Sequence, residues 1–349
     1  MQFRRILVRA TNWVGDAVMS LPALQALRQN NPDAHIAILA RPWVAGLYRD
    51  EPFCDEVIIY NAPRGWKGLR EKWRLGRELR AKRFDCAILL QNAFEAAALV
   101  VLAGIPKRIG YRGDGRAWLL TNAIPRPTKR GMPRHQRFYY LELLTRAGLI
   151  HDYPLDSSIR LAGAERTAER GRIHFEAAGI GGTVVGVSPG AAYGGAKRWL
   201  PDRFARAAVH VARELNASVA IFGSKEEFDI CELVRREIDA LHLRSINLAG
   251  RTSLSEFIEL AAACEVFLTN DSGPMHIASA LGVPTIAIFG ATDDEATGPT
   301  GTHSRVVREP VACSPCLLRE CPIDHRCMTA VSATRVAEAA LGLIAIEKR

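Results

Sequence analysis

Residues 265–290 read EVFLTNDSGPMHIASALGVPTIAIFG. EVFLT is a run of strand formers, NDSGP is a polar break, MHIASAL has helical spacing, and VPTIAIF is a second buried strand. A parallel strand–helix–strand unit puts the first turn at the carboxyl edge of a sheet, where open α/β sheets bind ligands. Gly273 lets backbone approach a ligand, and Pro274 suits the first turn of a helix. The free N–H groups there form a phosphate site, flanked by Asp271 and His276. An ordinary connection with a capping Asp has the same spacing, so both readings stand at this point.

The same grammar recurs on both sides of this stretch. Strands are expected at 4–10, 35–40, 55–60, 85–92 and 107–111, and again at 183–190, 217–223 and 245–250, with helical segments between. A helix is expected from Ala17 to Gln29, with Pro22 kinking it. The 349 residues exceed one typical domain. The expected division is 1–165 and 172–330, with a closing amphipathic helix in 331–349 that packs back on the first domain. The fold class is therefore α/β, with two doubly wound Rossmann-like domains facing a central cleft.

Charge separates the halves. Residues 1–150 hold 25 Lys and Arg against 12 Asp and Glu, and the remainder holds 21 against 25. Residues 64–83 alone carry nine basic residues and two Glu, on an expected helix with Trp66, Leu69, Trp73 and Leu79 as its apolar stripe. The loop 126–137 adds five basic residues and no acid. A basic half implies an anionic partner: nucleic acid, a membrane surface or a phosphorylated substrate. No nucleic-acid motif is present, and the aromatics are not spaced for base stacking, so no nucleic acid is expected. No apolar run is long enough to span a bilayer, and the N-terminus lacks a long apolar signal segment, so the expected location is cytoplasmic.

Three further places carry candidate chemistry. Asp16, in NWVGD, starts the helix after the first strand, as an N-cap or as a general base. Lys197 follows the Gly-rich turn PGAAYGGA, which is not a Walker motif but suits a phosphate. Cys313, Cys316, Cys321 and Cys327 are spaced closely enough for a structural Zn or Fe site, or for a compact loop of reduced thiols. Cys54, Cys86, Cys231 and Cys264 sit among apolar residues and read as reduced core thiols. No GxGxxG follows the first strand, which argues against a dehydrogenase.

The segments RILVRATNWVGDAVMSLPALQALR, SPGAAYGGAKRWLPDRFA, LTNDSGPMHIASALGVPTIAIFGATD and CSPCLLRECPIDHRCM span the chain end to end. Together they resemble the ADP-heptose:lipopolysaccharide heptosyltransferases, and the Cys-rich segment points to the heptosyltransferase II branch. The resemblance implies a GT-B fold and inverting transfer of heptose from ADP-heptose to a heptosyl-Kdo2-lipid A type acceptor. It implies Asp16 as catalytic base and Lys197 as the group that steadies the leaving diphosphate. Asp271, Gly273 and His276 match the family's donor-binding DxGxxH pattern, and Ser272, Gly190, Glu227 and Thr252 are assigned to the donor beside them, with Glu226 the rival of Glu227. Asp271 is expected on a hydroxyl or in the turn itself, because it would repel phosphate. No metal is required for catalysis. Arg64, Lys67, Arg70, Arg130 and Arg134 form the expected acceptor surface, which also suits peripheral binding to the inner face of the cytoplasmic membrane. A transferase acting at another inner-core step, or a non-catalytic protein that binds an anionic polymer, are the alternatives.

Overall fold

The computed structural model describes residues 3–63, 65–128, 131–155 and 158–347. The first sheet holds β1 (Arg5–Arg9), β2 (His35–Ala40), β3 (Glu56–Ile59), β4 (Cys86–Leu89), β5 (Lys107–Tyr111) and β6 (Asn122–Ile124). The second holds β7 (Val184–Ser188), β8 (Ser218–Ile221), β9 (Ser245–Asn247), β10 (Val266–Asn270), β11 (Thr285–Ile288) and β12 (Ser304–Val307). Every strand pair is parallel. The orders are β3-β2-β1-β4-β5-β6 and β12-β11-β10-β7-β8-β9. Counted from each unit's first strand, these are the same doubly wound order, and each reverses direction once: between β1 and β4, and between β7 and β10.

The central strands are buried along nearly their whole length, which is why they read as apolar runs and not as alternating patterns. Val8 lies opposite both Ile38 and Ile88, and Leu268 opposite both Val187 and Ile286. β6 and β12 were not anticipated. Each is an edge strand of three or four residues with polar residues in it, too short to show a period.

Several expectations are corrected here. The helix expected over 17–29 is two helices, Val14–Met19 and Leu21–Asn30, broken at Ser20. Pro22 lies in the first turn of the second, where its missing N–H costs nothing, and Ser20 Oγ donates to the Ala17 carbonyl at 2.7 Å. The basic helix runs Leu69–Ala81 but buries Leu75, Gly76 and Leu79, while Leu69 and Trp73 are exposed. The stripe was therefore misread by part of a turn, and the Trp66 side chain lies outside those described. Chain contacts divide the protein into Met1–Ser157 and Ser158–Arg349. Residues 158–165, expected in the first domain, belong to the second: Leu161 N donates to the Ala280 carbonyl at 2.9 Å and Ile159 N to Thr300 Oγ1 at 2.9 Å.

The closing helix, Ala333–Glu347, was expected on the first domain. It packs instead on helix Pro201–Glu214 and the β10–β12 side of the second sheet, with Val336, Ala337, Ala340 and Ile344 in that unit's core.

Helix Ala164–Ala177 lies against helix Leu254–Ala262 so closely that a methyl group on Gly171 would collide with the Glu259 carbonyl. Gly171→Ala is expected to cost the second unit about 1–3 kcal/mol of stability, read from urea unfolding. An unchanged midpoint would show that this helix pair separates freely.

Candidate active site

In the second unit the strand order reverses between β7 and β10, and the turns after these strands meet there. Asn270, the last residue of β10, is completely buried and ties the two turns together. Its Nδ2 donates to the Pro189 carbonyl at 2.7 Å, and its Oδ1 accepts from Trp199 N at 3.0 Å. Asp271 follows, 3% exposed. Its Oδ2 accepts from Lys197 Nζ at 2.6 Å and from Thr292 Oγ1, in the turn after β11, at 2.6 Å. The Lys197 ammonium also lies 4.9 Å from the centre of the Tyr193 ring. Three turns are thus joined at one carboxylate.

This refines the expected role of Asp271. Its Oδ2 holds Lys197, so the carboxylate acts as an anchor for a cation at the carboxyl edge. An ammonium has three donors, and Asp271 takes one, leaving the others for an incoming anion. Ser272 is the N-cap of helix Gly273–Ala280, its Oγ 3.3 Å from Thr269 Oγ1, and His276 is buried in that helix. Gly190 lies in the turn after β7, where any side chain would collide with the Glu227 carboxylate. Glu227 also accepts from Ser224 N at 2.9 Å, closing a capping box, whereas Glu226 is exposed. Thr252 is half-buried beyond the edge strand β9, next to the capping residue Ser253.

The first unit reverses strand order between β1 and β4, and Asp16 sits in the first turn of the helix that follows β1. Tyr140 Oη donates to Asp16 Oδ1 at 3.2 Å. Burial, and then the Asp16 charge and hydrogen bond, hold the Tyr140 hydroxyl far above its ordinary pKa, so it remains a donor. The turn leading to Asp16 is fixed from below. Arg9 Nη2 donates to Asn12 Oδ1 at 2.9 Å, and Trp43 Nε1 donates to the Asn12 carbonyl at 2.8 Å. Arg9 and Arg41, both buried, stack on Tyr60, whose hydroxyl donates to Glu95. Lys72 Nζ bonds Glu95 at 2.7 Å. Burial raises the Glu95 pKa, but hydrogen bonds from Lys72 and Tyr60 outweigh it and hold the carboxyl below the usual range.

Lys67, Arg70 and Arg134 are exposed on the first unit. Arg64 and Arg130 lie outside the described residues. Sequence reading missed Asn270, Thr292, Tyr193 and Tyr140. The first was visible as a polar residue closing a buried strand; the others are joined to the site only by folding.

For the four clustered thiols a metal staple and a loop of reduced thiols were both open, and the structure describes all four as free. Among the described residues, no three His, Cys, Asp or Glu side chains converge as a ligand set. Cys313 and Cys316 are exposed, whereas Cys327 is buried with its Sγ toward Gly290. Burial, and then the neighbouring thiols, raise the Cys327 pKa and keep it protonated. Cys86, Cys231 and Cys264 are buried free thiols as expected, and Cys54 is half-buried. A surface groove of about 900 Å³ lies at the amino ends of β7, β10 and β11, lined by Glu165, Arg172, Gly181 and Cys264. It is at the opposite edge of the sheet from the Lys197–Asp271 pair.

Two doubly wound parallel sheets, each with one switch point, are the architecture of a GT-B glycosyltransferase, and the comparisons agree on that class. The family model for glycosyltransferase family 9 (heptosyltransferase) matches residues 72–326. The chain belongs to glycosyltransferase family 9 and is a glycosyltransferase with the GT-B type of fold. It is 32% identical over 311 residues to lipopolysaccharide heptosyltransferase 2 of Escherichia coli K12, covering 87% of this chain and 88% of that one. It is also 32% identical over 311 residues to lipooligosaccharide heptosyltransferase 2 of Haemophilus influenzae, with the same coverage. The solved structure of E. coli ADP-heptose lps heptosyltransferase II superposes with a TM-score of 0.84 at 29% identity, covering 99% of this chain and 100% of that one.

Removing one member of a buried ion pair strands the other. Asp271→Ala is therefore expected to cost about 3–5 kcal/mol of unfolding free energy, and Thr292→Val about 1 kcal/mol. Equal small losses in urea melts would show that Lys197 does not depend on Asp271 for its pairing.

Proposed function

We propose that the protein transfers L-glycero-D-manno-heptose from ADP-heptose to the first heptose of a lipopolysaccharide inner core, with inversion at the anomeric carbon. The observation that carries the reading is the Lys197–Asp271 pair at the strand reversal of the second unit, in a chain about one-third identical to named heptosyltransferases 2. In this reading the second unit takes the donor and the first takes the acceptor.

Asp16 removes the proton from the acceptor hydroxyl as that oxygen attacks the anomeric carbon. The bond from that carbon to the diphosphate oxygen breaks, and ADP leaves with the electron pair. Lys197 offsets the charge that builds on the leaving diphosphate, aided by the open N–H groups of helix Gly273–Ala280. Asp271 keeps Lys197 in place, and Tyr140 orients the Asp16 carboxylate. His276, Ser272, Gly190, Glu227 and Thr252 complete the proposed donor side. These groups carry the chemistry without a metal.

The excess of basic residues in the first half fits a phosphorylated, acidic glycolipid. Exposed Lys67, Arg70, Arg134 and Trp73 suit an anionic membrane surface. Among the described residues no helix is long and apolar enough to cross a membrane. We place the enzyme at the cytoplasmic face of the inner membrane on this basis.

Two variants test the assignment. Asp16→Asn should lower kcat about 10²–10⁴-fold with donor affinity retained. Lys197→Ala should weaken both ADP-heptose binding and turnover. Near-normal turnover in the first, or unchanged donor affinity in the second, would remove that residue from its role.

A further inference from the structure

The cysteine-bearing segment between β12 and the short helix Arg326–Thr329 has no part in the chemistry above. It has no regular secondary structure. From edge strand β12 it doubles back past β11 and β10 to the turn after β7. Two bonds fix it to the turn after β11: Ser314 Oγ donates to the Gly290 carbonyl at 2.6 Å, and Leu317 N to the Ala291 carbonyl at 2.8 Å.

Four more reach the turn that carries Lys197. Tyr193 Oη donates to the Leu317 carbonyl at 2.8 Å, Ala196 N to the Arg319 carbonyl at 2.9 Å, and Gly195 N to Glu320 Oε1 at 2.9 Å. His325 Nε2 lies 3.0 Å from the Ala196 carbonyl and donates to it. Arg319 and Lys197 both stack on the Tyr193 ring.

Two features show that these polar bonds are what join the segment to the turn. Leu317, Leu318 and Ile323 are all exposed, so the segment is not anchored by burying its large apolar side chains. A side chain on Gly194 would collide with the Arg319 backbone, and one on Gly195 with the Glu320 carboxylate. The paired glycines of YGGAK, read from sequence as room for a phosphate, are required by the close approach of this segment.

We propose that residues 313–325 form a positioning strap for Lys197, and that Glu320 is its key side-chain anchor. Asp271 holds the ammonium from the sheet side, and the strap holds the backbone of the turn. Glu320 is a positioning residue that acts through Gly195 and Ala196. The proposal rests on the reading of Lys197 as the donor-diphosphate group.

The test is steady-state kinetics on the full chain with ADP-heptose varied. Displacing a catalytic group by a fraction of an ångström is costly, so Glu320→Ala should lower donor kcat/KM about tenfold. Acceptor KM and Tm should not move, because Glu320 is exposed. Glu320→Gln should restore wild-type values, since an amide oxygen also accepts the Gly195 N–H. In a Lys197→Ala background, Glu320→Ala should add nothing further. Wild-type donor kcat/KM in Glu320→Ala, failure of Gln to rescue, or an undiminished effect without Lys197 would each overturn the strap. If Lys197→Ala is itself without effect, the donor-site reading fails; if it is impaired while Glu320→Ala is normal, only the strap fails.

Discussion

The second unit is organised around one buried ion pair. Lys197 and Asp271 are 74 positions apart in sequence, yet their charged atoms lie 2.6 Å apart with both side chains largely out of water. Such a pair contributes little net stability, because desolvating two charges costs about as much as their attraction returns. What it supplies is placement. Two turns must arrive together for the pair to form; Asn270 ties them to each other, and Thr292 joins a third turn to the same carboxylate. The protein therefore carries a cation at the carboxyl edge of a sheet, held by a carboxylate and not left free to range.

The place follows from topology. A sheet wound from a central strand in both directions opens a crevice where the winding reverses. Both units use the same strand order, so both have such a crevice: one holds Lys197 and Asp271, the other Asp16. The two sites are built differently. In the second unit the key cation is fixed by side chains from neighbouring turns. In the first, a layer of buried arginines, Tyr60 and Glu95 supports the turn ahead of Asp16, and a buried tyrosine on a distant helix contacts the carboxylate.

Much of this was legible in the sequence, and the failures have physical causes. Buried parallel strands announce themselves as apolar runs, so β1, β2, β7 and β10 were plain, and so were the turns after them. Edge strands β6 and β12 bury less and run short, and they left no pattern. Asp16, Lys197 and Asp271 were singled out because polar residues after such strands stand out. Their partners were not. Tyr140 and Thr292 are ordinary residues in sequence, and only the fold brings them to a carboxylate. Spacing left a shared metal and a loop of reduced thiols both open for the four cysteines; the fold buries Cys327 and leaves Cys313 and Cys316 exposed, all as free thiols. The glycines at 194 and 195 were read as room for a phosphate, and their environment shows close packing against residues 319 and 320 instead.

The most direct test of the account is ADP release from ADP-heptose, measured with lipid A acceptors carrying Kdo and zero, one or two heptoses. The account predicts rapid release with the one-heptose acceptor and little with the others. Release that is equal for all three, or confined to the acceptor with none, would contradict it.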